Sequence, residues 1–346
     1  MSDKVKGLLR RMIHISGVNT ILRLIHRSYP RIIMFHQIQP AGCRNSKGLP
    51  AQDFLSYLKY IKKHFDPIKI TDLVSYKHKN GVFPSNAVAI TFDDGYRSFY
   101  DLAWPLLKRM EMPATVFVIP QLVRQDAWLW PDRVAFLYES GYGKLTSESL
   151  TDLISRLKTM AATERNSFIG EIQTVSGISL PGTIPEDYRL MSWEQLREIC
   201  QSGLIEIGSH TLTHPILTNE SLDTCWAELL QSRLILQAEL GIPASSFCYP
   251  NGQPGDYSLE HCEMLGKAGY TCGIASHFGF VTAKSNIMCM PRITGDHEDI
   301  YSFYKYLDGF EYMMRLSAGC NCETCLQNHL EHHIRGEHCN KCQCSG

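Results

Sequence analysis

The chain has 346 residues, 44% of them apolar and 20% charged, enough to bury a full core in one large domain or two smaller ones. Its formal net charge of -1 gives no overall attraction to a phosphate backbone, so nucleic acid is not an expected partner. No run approaches the roughly eighteen consecutive apolar residues of a membrane span, and the N-terminus lacks a secretory signal's apolar stretch and cleavage site, so the expected location is the cytoplasm.

Residues 1–30 read as a basic amphipathic helical lead-in. Residues 1–31 carry seven Lys/Arg against one Asp, with Leu8, Leu9, Met12, Ile13, Ile21, Leu22, Leu24 and Ile25 among them. Such a helix either packs on the outside of the main domain or lies peripherally on an anionic surface, here the inner membrane face. From residue 31 onward short apolar runs alternate with longer helical patterns, the rhythm of strands joined by helices around a parallel sheet. Strands are predicted near 31–36, 67–70, 87–92, 113–119, 204–208, 246–249, 271–275 and 287–293. Between about 121 and 190 the pattern is helical and polar, which predicts an insertion packed beside the sheet and shaping one wall of a cleft. After residue 316 the composition shifts to Cys, His, Asn and Glu, so a main domain over 31–316 is expected to be followed by a separate element over 317–346.

Of thirteen cysteines, seven are scattered through the body and six lie in the last 27 residues. That distribution reads as reduced thiols plus a metal-binding tail rather than a disulfide framework. The tail sets Cys320, Cys322 and Cys325 apart from Cys339, Cys342 and Cys344 by thirteen residues that include His329, His332, His333 and His338. Paired knuckles of this kind resemble a structural zinc site, with an iron–sulfur cluster, a redox tail or a disordered segment as the alternatives, and so short a segment would take its ordering energy from a metal.

The chemistry concentrates at strand ends. Ile90-Thr91-Phe92-Asp93-Asp94-Gly95 runs an apolar strand into two adjacent carboxylates, which repel unless a cation lies between them; the bland alternative is a turn or helix cap. Ile205-Glu206-Ile207-Gly208-Ser209-His210 continues to His214, and four-residue spacing predicts both rings on one side of a helical turn. Two imidazoles and a carboxylate leave a coordination position open for water. A third strand end delivers His36, and a fourth, Phe247 to Gly252, delivers a tight turn around Asn251 with free backbone N–H groups. Four polar strand termini on one rim are the arrangement of an active site built on a barrel. Trp193, Tyr249, Trp128 and Trp130 are aromatic candidates for stacking on sugar faces, or else packing residues.

Together these segments resemble the NodB-type polysaccharide deacetylases, the family-four carbohydrate esterases, over roughly residues 31–300. Thr91 to Gly95 looks like the first family motif, and His210-Thr211-Leu212-Thr213-His214 like the second. Met191-Ser192-Trp193-Glu194-Gln195-Leu196 and the Phe247-to-Gly252 turn are also similar to the family. The common family's late Leu-x-His motif is missing, and Met34-Phe35-His36 instead looks like the circularly permuted branch that includes the poly-N-acetylglucosamine deacetylases. The resemblance implies an α/β fold, a distorted (β/α)7–8 barrel carrying the helical insertion and the Cys-rich tail. It implies a divalent metal, zinc by ligand type, held by Asp94, His210 and His214. Asp93 becomes the general base, His36 the general acid, and the turn at Asn251 a donor to the oxyanion. The arginine of the family's third motif is absent beside Pro250, and Arg292 is its expected replacement. Trp193 and Tyr249 are the expected substrate contacts, and the expected substrate is an N-acetylated glycan or its lipid-linked precursor. Two rivals stay open: a non-catalytic glycan-binding or scaffold protein, and an amidase acting on a small non-sugar amide.

Overall fold

The computed structural model describes residues 17–42, 48–297 and 299–317. Its strands are β1 (Arg31–Phe35), β2 (Ile38–Gln39), β3 (Leu49–Pro50), β4 (Asp66–Pro67), β5 (Ala87–Phe92), β6 (Ala114–Val118), β7 (Ile205–Ser209), β8 (Ser246–Cys248), β9 (Cys272–Phe278) and β10 (Met290–Thr294). β5 and β6 are buried at every residue, as expected of parallel strands covered on both faces. β1 pairs in parallel with both β5 and β10, which closes β1-β5-β6-β7-β8-β9-β10 into a seven-stranded barrel, and β4 adds an extra short strand on β5. Because every barrel strand runs the same way, all the C-terminal ends share one rim.

Alternation along the strands divides the core. Ile33, Phe35, Val88, Ile90, Phe92, Val116, Ile205 and Ile207 pack outward against helices such as Ala51–His64 and Trp193–Gln201. Residues of the opposite parity, among them Ile32, Ala89, Phe117, Cys248, Ile274 and Met290, form a second buried cluster. The packing is close: a Cβ on Gly208 would come within 2.6 Å of the Phe117 ring, so this strand position has room only for glycine. Each fully buried large apolar side chain contributes about 1.5–3 kcal/mol.

Three details differ from the sequence expectation. Residues 68–70 are not strand, because β4 stops at Pro67 and helix Ile70–Asn80 begins, burying Ile70, Leu73 and Val74 at helical spacing. The predicted strand at 287–293 opens with a 3₁₀ turn, Ile287–Cys289, capped by the Asn286 side chain. β2 and β3 are two residues each, too short to leave a periodic signal.

Residues 120–190 contain the helices Pro120–Gln125, Trp130–Ser140, Leu150–Leu157 and Ala162–Ser176, around a small core of Trp130, Val134, Leu137, Leu153, Leu157, Ile169 and Ile172. This layer is tied to the rim. Tyr96 donates to Asp132 at 2.8 Å, Lys158 donates to the Asn251 carboxamide oxygen at 2.7 Å, and the Ala162 amide donates to Glu220 at 2.6 Å.

Of the lead-in, residues 17–30 are described. Helix Val18–Ile25 buries Asn19 and Leu22 against the barrel and pairs Arg23 with the buried Asp308 at 3.1 Å. Ile21, Leu24 and Ile25 are left 59%, 60% and 63% exposed. No described helix is long and apolar enough to cross a membrane.

Candidate active site

The strand β5 delivers Thr91, Asp93 and Asp94 to the rim in three different environments. Asp94 and Gly95 both take positive φ, 69° and 75°, and a Cβ on Gly95 would sit 2.9 Å from Val118 Cγ1. The motif glycine therefore answers both a left-handed backbone and a close approach to β6. This turn faces Asp93 one way and Asp94 another.

Asp93 is 3% exposed and faces Arg292, itself 1% exposed. The guanidinium makes two parallel bonds to the carboxylate, Nη1 and Nη2 each at 2.7 Å. Its remaining N–H groups donate to the Ala275 carbonyl at 2.9 Å, the Ser276 hydroxyl at 2.9 Å and the Thr91 hydroxyl at 3.3 Å. Burial pushes the Asp93 carboxyl up, but the Arg292 charge and its bonds outweigh this and hold it far below the usual carboxylate range. The Cys248 thiol lies 3.6 Å from the same carboxylate.

Asp94 turns to the histidines. Its Oδ1 lies 3.5 Å from His210 Nε2 and 3.4 Å from His214 Nε2, and the three ligand atoms lie within 4.8 Å of one another. His210 Nδ1 is 2.7 Å from the Cys248 carbonyl. A carbonyl can only accept, so Nδ1 carries the proton and Nε2 presents a lone pair. Burial, with His210 next, pushes His214 well below the ordinary imidazole range, so its ring is neutral. Lone pairs from two rings and a carboxylate oxygen thus converge on one point, an arrangement that repels itself without a cation and fits a divalent one.

The histidines meet by a different route from the one expected. Residues 210–215 form no helical turn: Thr211 and His214 take φ of 64° and 67°, and the ring centroids end 4.8 Å apart. The residue before a proline is steered away from the helical region, and Pro215 follows His214. Glu228, from helix Leu222–Leu240, holds this turn by accepting from the Leu212 amide at 2.8 Å, the Thr213 amide at 2.9 Å and the Thr213 hydroxyl at 2.6 Å.

His36 follows β1 at the same rim, with its Nδ1 3.8 Å from Asp296 and 40% of its side chain exposed. Burial works against its charge, but the Asp296 carboxylate, reinforced by Asp93 and Asp94, raises its pKa to about 9. Asn251 sits in the turn after β8 with φ 58°. Its side chain accepts from Lys158 and donates to Asp256 at 2.6 Å, so only the backbone of this turn is available to chemistry. Trp193 begins helix Trp193–Gln201 and lines a groove of about 500 Å³ with Arg97, Arg189 and Met191.

Tyr249 corrects an expectation. It is 1% exposed, stacked on Tyr257 at 4.4 Å and bonded through its hydroxyl to the Met288 carbonyl at 2.9 Å; it is a core residue that no sugar reaches. Trp130 is also buried, in the insertion core, while Trp128 packs on Tyr188 at 5.1 Å. Glu228, Asp296 and Cys248 were not singled out from sequence. Asp296 had a signal available, since it too follows a strand end, whereas Glu228 lies on a helix fourteen residues beyond His214 with no local pattern around it. The tail residues Cys320, Cys322, Cys325, Cys339, Cys342 and Cys344 lie outside the described residues.

A closed parallel barrel thus carries paired carboxylates and two histidines on its C-terminal rim, a residue set that could hold a metal ion. The family model described as polysaccharide deacetylase matches residues 80–273, and the chain belongs to that family: it is an N-deacetylase-type hydrolase. Over 265 residues it is 24% identical to the poly-beta-1,6-N-acetyl-D-glucosamine N-deacetylase of Staphylococcus aureus, covering 74% of this chain and 71% of the relative. The structure of IcaB from Ammonifex degensii is similar with a TM-score of 0.56 at 17% identity, covering 81% of this chain and 97% of that one. The Streptococcus pyogenes deacetylase PplD, in complex with acetate, is similar with a TM-score of 0.54 at 18% identity, covering 77% and 92%. His36 precedes the matched stretch and Arg292 follows it, so β1 and β10, both outside the match, also bring side chains to the site.

Proposed function

We propose that this chain removes N-acetyl groups from an N-acetylated glycan, with poly-N-acetylglucosamine as the polymer its relatives favour, at a divalent metal centre held by Asp94, His210 and His214. The observation that carries the metal is the convergence of three lone pairs, with the His210 tautomer fixed by the Cys248 carbonyl. Two histidines and one carboxylate suit zinc, and other first-row divalent ions take the same donors. A cation there supplies Lewis-acid chemistry, acidifying water and polarising the acetyl carbonyl.

The protein groups divide the proton work. Asp93, kept ionised and fixed in orientation by Arg292, takes the proton of the attacking water. His36 is protonated at neutral pH and gives its proton to the sugar nitrogen, which must leave as an amine rather than an amide anion. Contrary to the expectation of several free amides in the turn after β8, Gly252 N–H donates to the Pro250 carbonyl at 2.7 Å and Gln253 N–H to Asp256 at 2.7 Å, which leaves the Asn251 N–H as the turn's donor to the developing oxyanion. Trp193 is the remaining aromatic candidate for a sugar contact.

The test is acetate release from N-acetylated glycans and from small non-sugar amides, paired with metal analysis of wild type and His214→Ala. Glycan-selective release that disappears together with the metal supports the proposal. Release from small amides alone, or turnover by the metal-depleted variant, would overturn it.

A further inference from the structure

Where the insertion meets the turn that carries His214, buried N–H groups without an acceptor gather. Among the described residues these are Arg165 Nε and Nη1, Arg133 Nε, Trp130 Nε1 and His214 Nδ1. Arg165 is 2% exposed, and its guanidinium lies 4.5 Å over the Trp130 ring. Its helix starts at Ala162, whose amide is held by Glu220, six residues beyond His214. Arg133 donates through Nη1 to Asn166, the neighbour of Arg165, at 3.3 Å.

Two cations are thus held together without a counter-ion. Burial lowers the Arg165 pKa to about 10, with Glu220 raising it and Arg133 lowering it further. Neither nearby carboxylate pairs with it. Glu220 takes the Ala162 amide, and Glu228 spends both oxygens on Leu212 and Thr213. A cation–π contact satisfies the face of a guanidinium and leaves its in-plane N–H groups unused. A buried donor left without an acceptor destabilises the fold, and more so when it is charged.

We propose that Arg165, Arg133 and Trp130 form an oxyanion-binding site in the wall between the insertion and the His210–His214 turn, taking a carboxylate or phosphate group. Planar N–H pairs of arginine match both. The group reaches the site either as an acidic substituent of the glycan or as a free oxyanion, including the acetate that deacetylation releases. The site itself stands apart from the deacetylase reading, and only the choice between these sources rests on it.

The first test needs no turnover. Metal-stripped full-length protein is titrated with sodium phosphate and with sodium acetate at constant ionic strength, and thermal unfolding is followed. Wild type should show a saturable rise in melting temperature, and Arg165→Met should need roughly ten- to a hundredfold more anion for the same rise. Trp130→Phe keeps a ring under the guanidinium but removes one donor, so it should weaken the response several-fold and carries the test if Arg165→Met fails to fold. A response linear in salt, or equal in wild type and the folded variants, would overturn the proposal, leaving solvent as the acceptor. The second test compares neutral N-acetylglucosamine oligomers with ones bearing uronate or phosphate. A selective loss of kcat/KM on the charged oligomer in Arg165→Met identifies a substituent, and weakened inhibition by acetate with unchanged selectivity identifies the free oxyanion. Absence of turnover in wild type would sink the deacetylase reading while leaving the thermal result to decide the site.

Discussion

Replacing Arg292 with methionine should separate what holds Asp93 in place from what makes it useful. The pair is buried on both sides, at 3% and 1% exposure, and is joined by two 2.7 Å bonds. Removing one partner strands a carboxylate in the barrel, which costs about 3–5 kcal/mol. At about 2.1 cal/mol/K of unfolding entropy per residue over 346 residues, that lowers the melting temperature by roughly 4–7 °C. Without the guanidinium, desolvation becomes the dominant influence on Asp93, so its pKa rises and the neutral carboxyl can no longer accept a proton. Acetate release should fall by about a hundred- to ten-thousandfold. The pH dependence has a definite sign. Asp93 in wild type has a lowered folded pKa, so its contribution to stability is complete above the unfolded carboxylate value of about 4 and is lost as pH falls below it toward the folded value. Arg292→Met should flatten that acid limb in a thermal-unfolding series run without added metal. The decisive control is the double variant with Asp93→Asn, in which both charges are gone and the cost of Arg292→Met should shrink by 2 kcal/mol or more, about the order expected of a broken buried pair. An equal cost in both backgrounds refutes the coupling on which the assignment of Asp93 stands.

His36→Ala should bind metal as wild type does yet release acetate about a hundred- to ten-thousandfold more slowly; undiminished turnover removes His36 from the mechanism. Because His36 must be protonated to act, activity should fall as pH rises through its pKa, and Asp296→Asn, which removes the largest upward influence, should move that alkaline limb to lower pH in a kcat/KM profile. A bound dication opposes the pull of Asp93 and Asp94 but not that of Asp296, so this shift should persist in loaded enzyme; an unmoved limb assigns it to another group. Glu228→Ala orphans two amides and a hydroxyl without touching a ligand, and should weaken metal affinity by about ten- to a hundredfold, measured by metal titration; wild-type affinity would make Glu228 a packing residue only. Tyr249→Phe, which removes a hydroxyl bonded to Met288, should destabilise the fold by about 1 kcal/mol and leave KM for glycan unchanged, whereas a raised KM would return Tyr249 to the substrate.

The barrel and its rim were legible in the sequence because apolar runs that end in polar residues report strand direction, and parallel strands put their ends together. The partnership of Asp93 with Arg292 was legible only as a guess about a missing arginine. It depends on β1 bridging β5 and β10, a long-range pairing that no local pattern encodes. Tyr249 was misassigned although alternation held the answer. Phe247 and Tyr249 share one parity and pack beside Cys262 and Leu265 of helix Leu259–Lys267, while Cys248 between them reaches Asp93. A substrate contact was therefore never open to a residue one step out of phase with the thiol that faces the site. Pro215 likewise carried a signal against the helical turn expected for His210 and His214.

The backbone shows what holds these side chains together. Seven described non-glycine residues have positive φ, and Asp94, Thr211, His214 and Asn251 are four of them. Such conformations cost about 1–3 kcal/mol each and persist only where the surroundings over-determine them. Thr211 is β-branched and so especially averse to this region, yet its hydroxyl accepts the His214 amide at 2.9 Å. Glu228 fixes the two intervening amides, and Lys158 and Asp256 hold Asn251 from either side. The strain at the rim is thus opposed by bonds from a helix outside the barrel and from the insertion, elements that contribute none of the converging lone pairs. Because the positions of these donors depend on bonds made outside the site, disruption of the outer supports should reach the centre even when Asp94, His210 and His214 are intact.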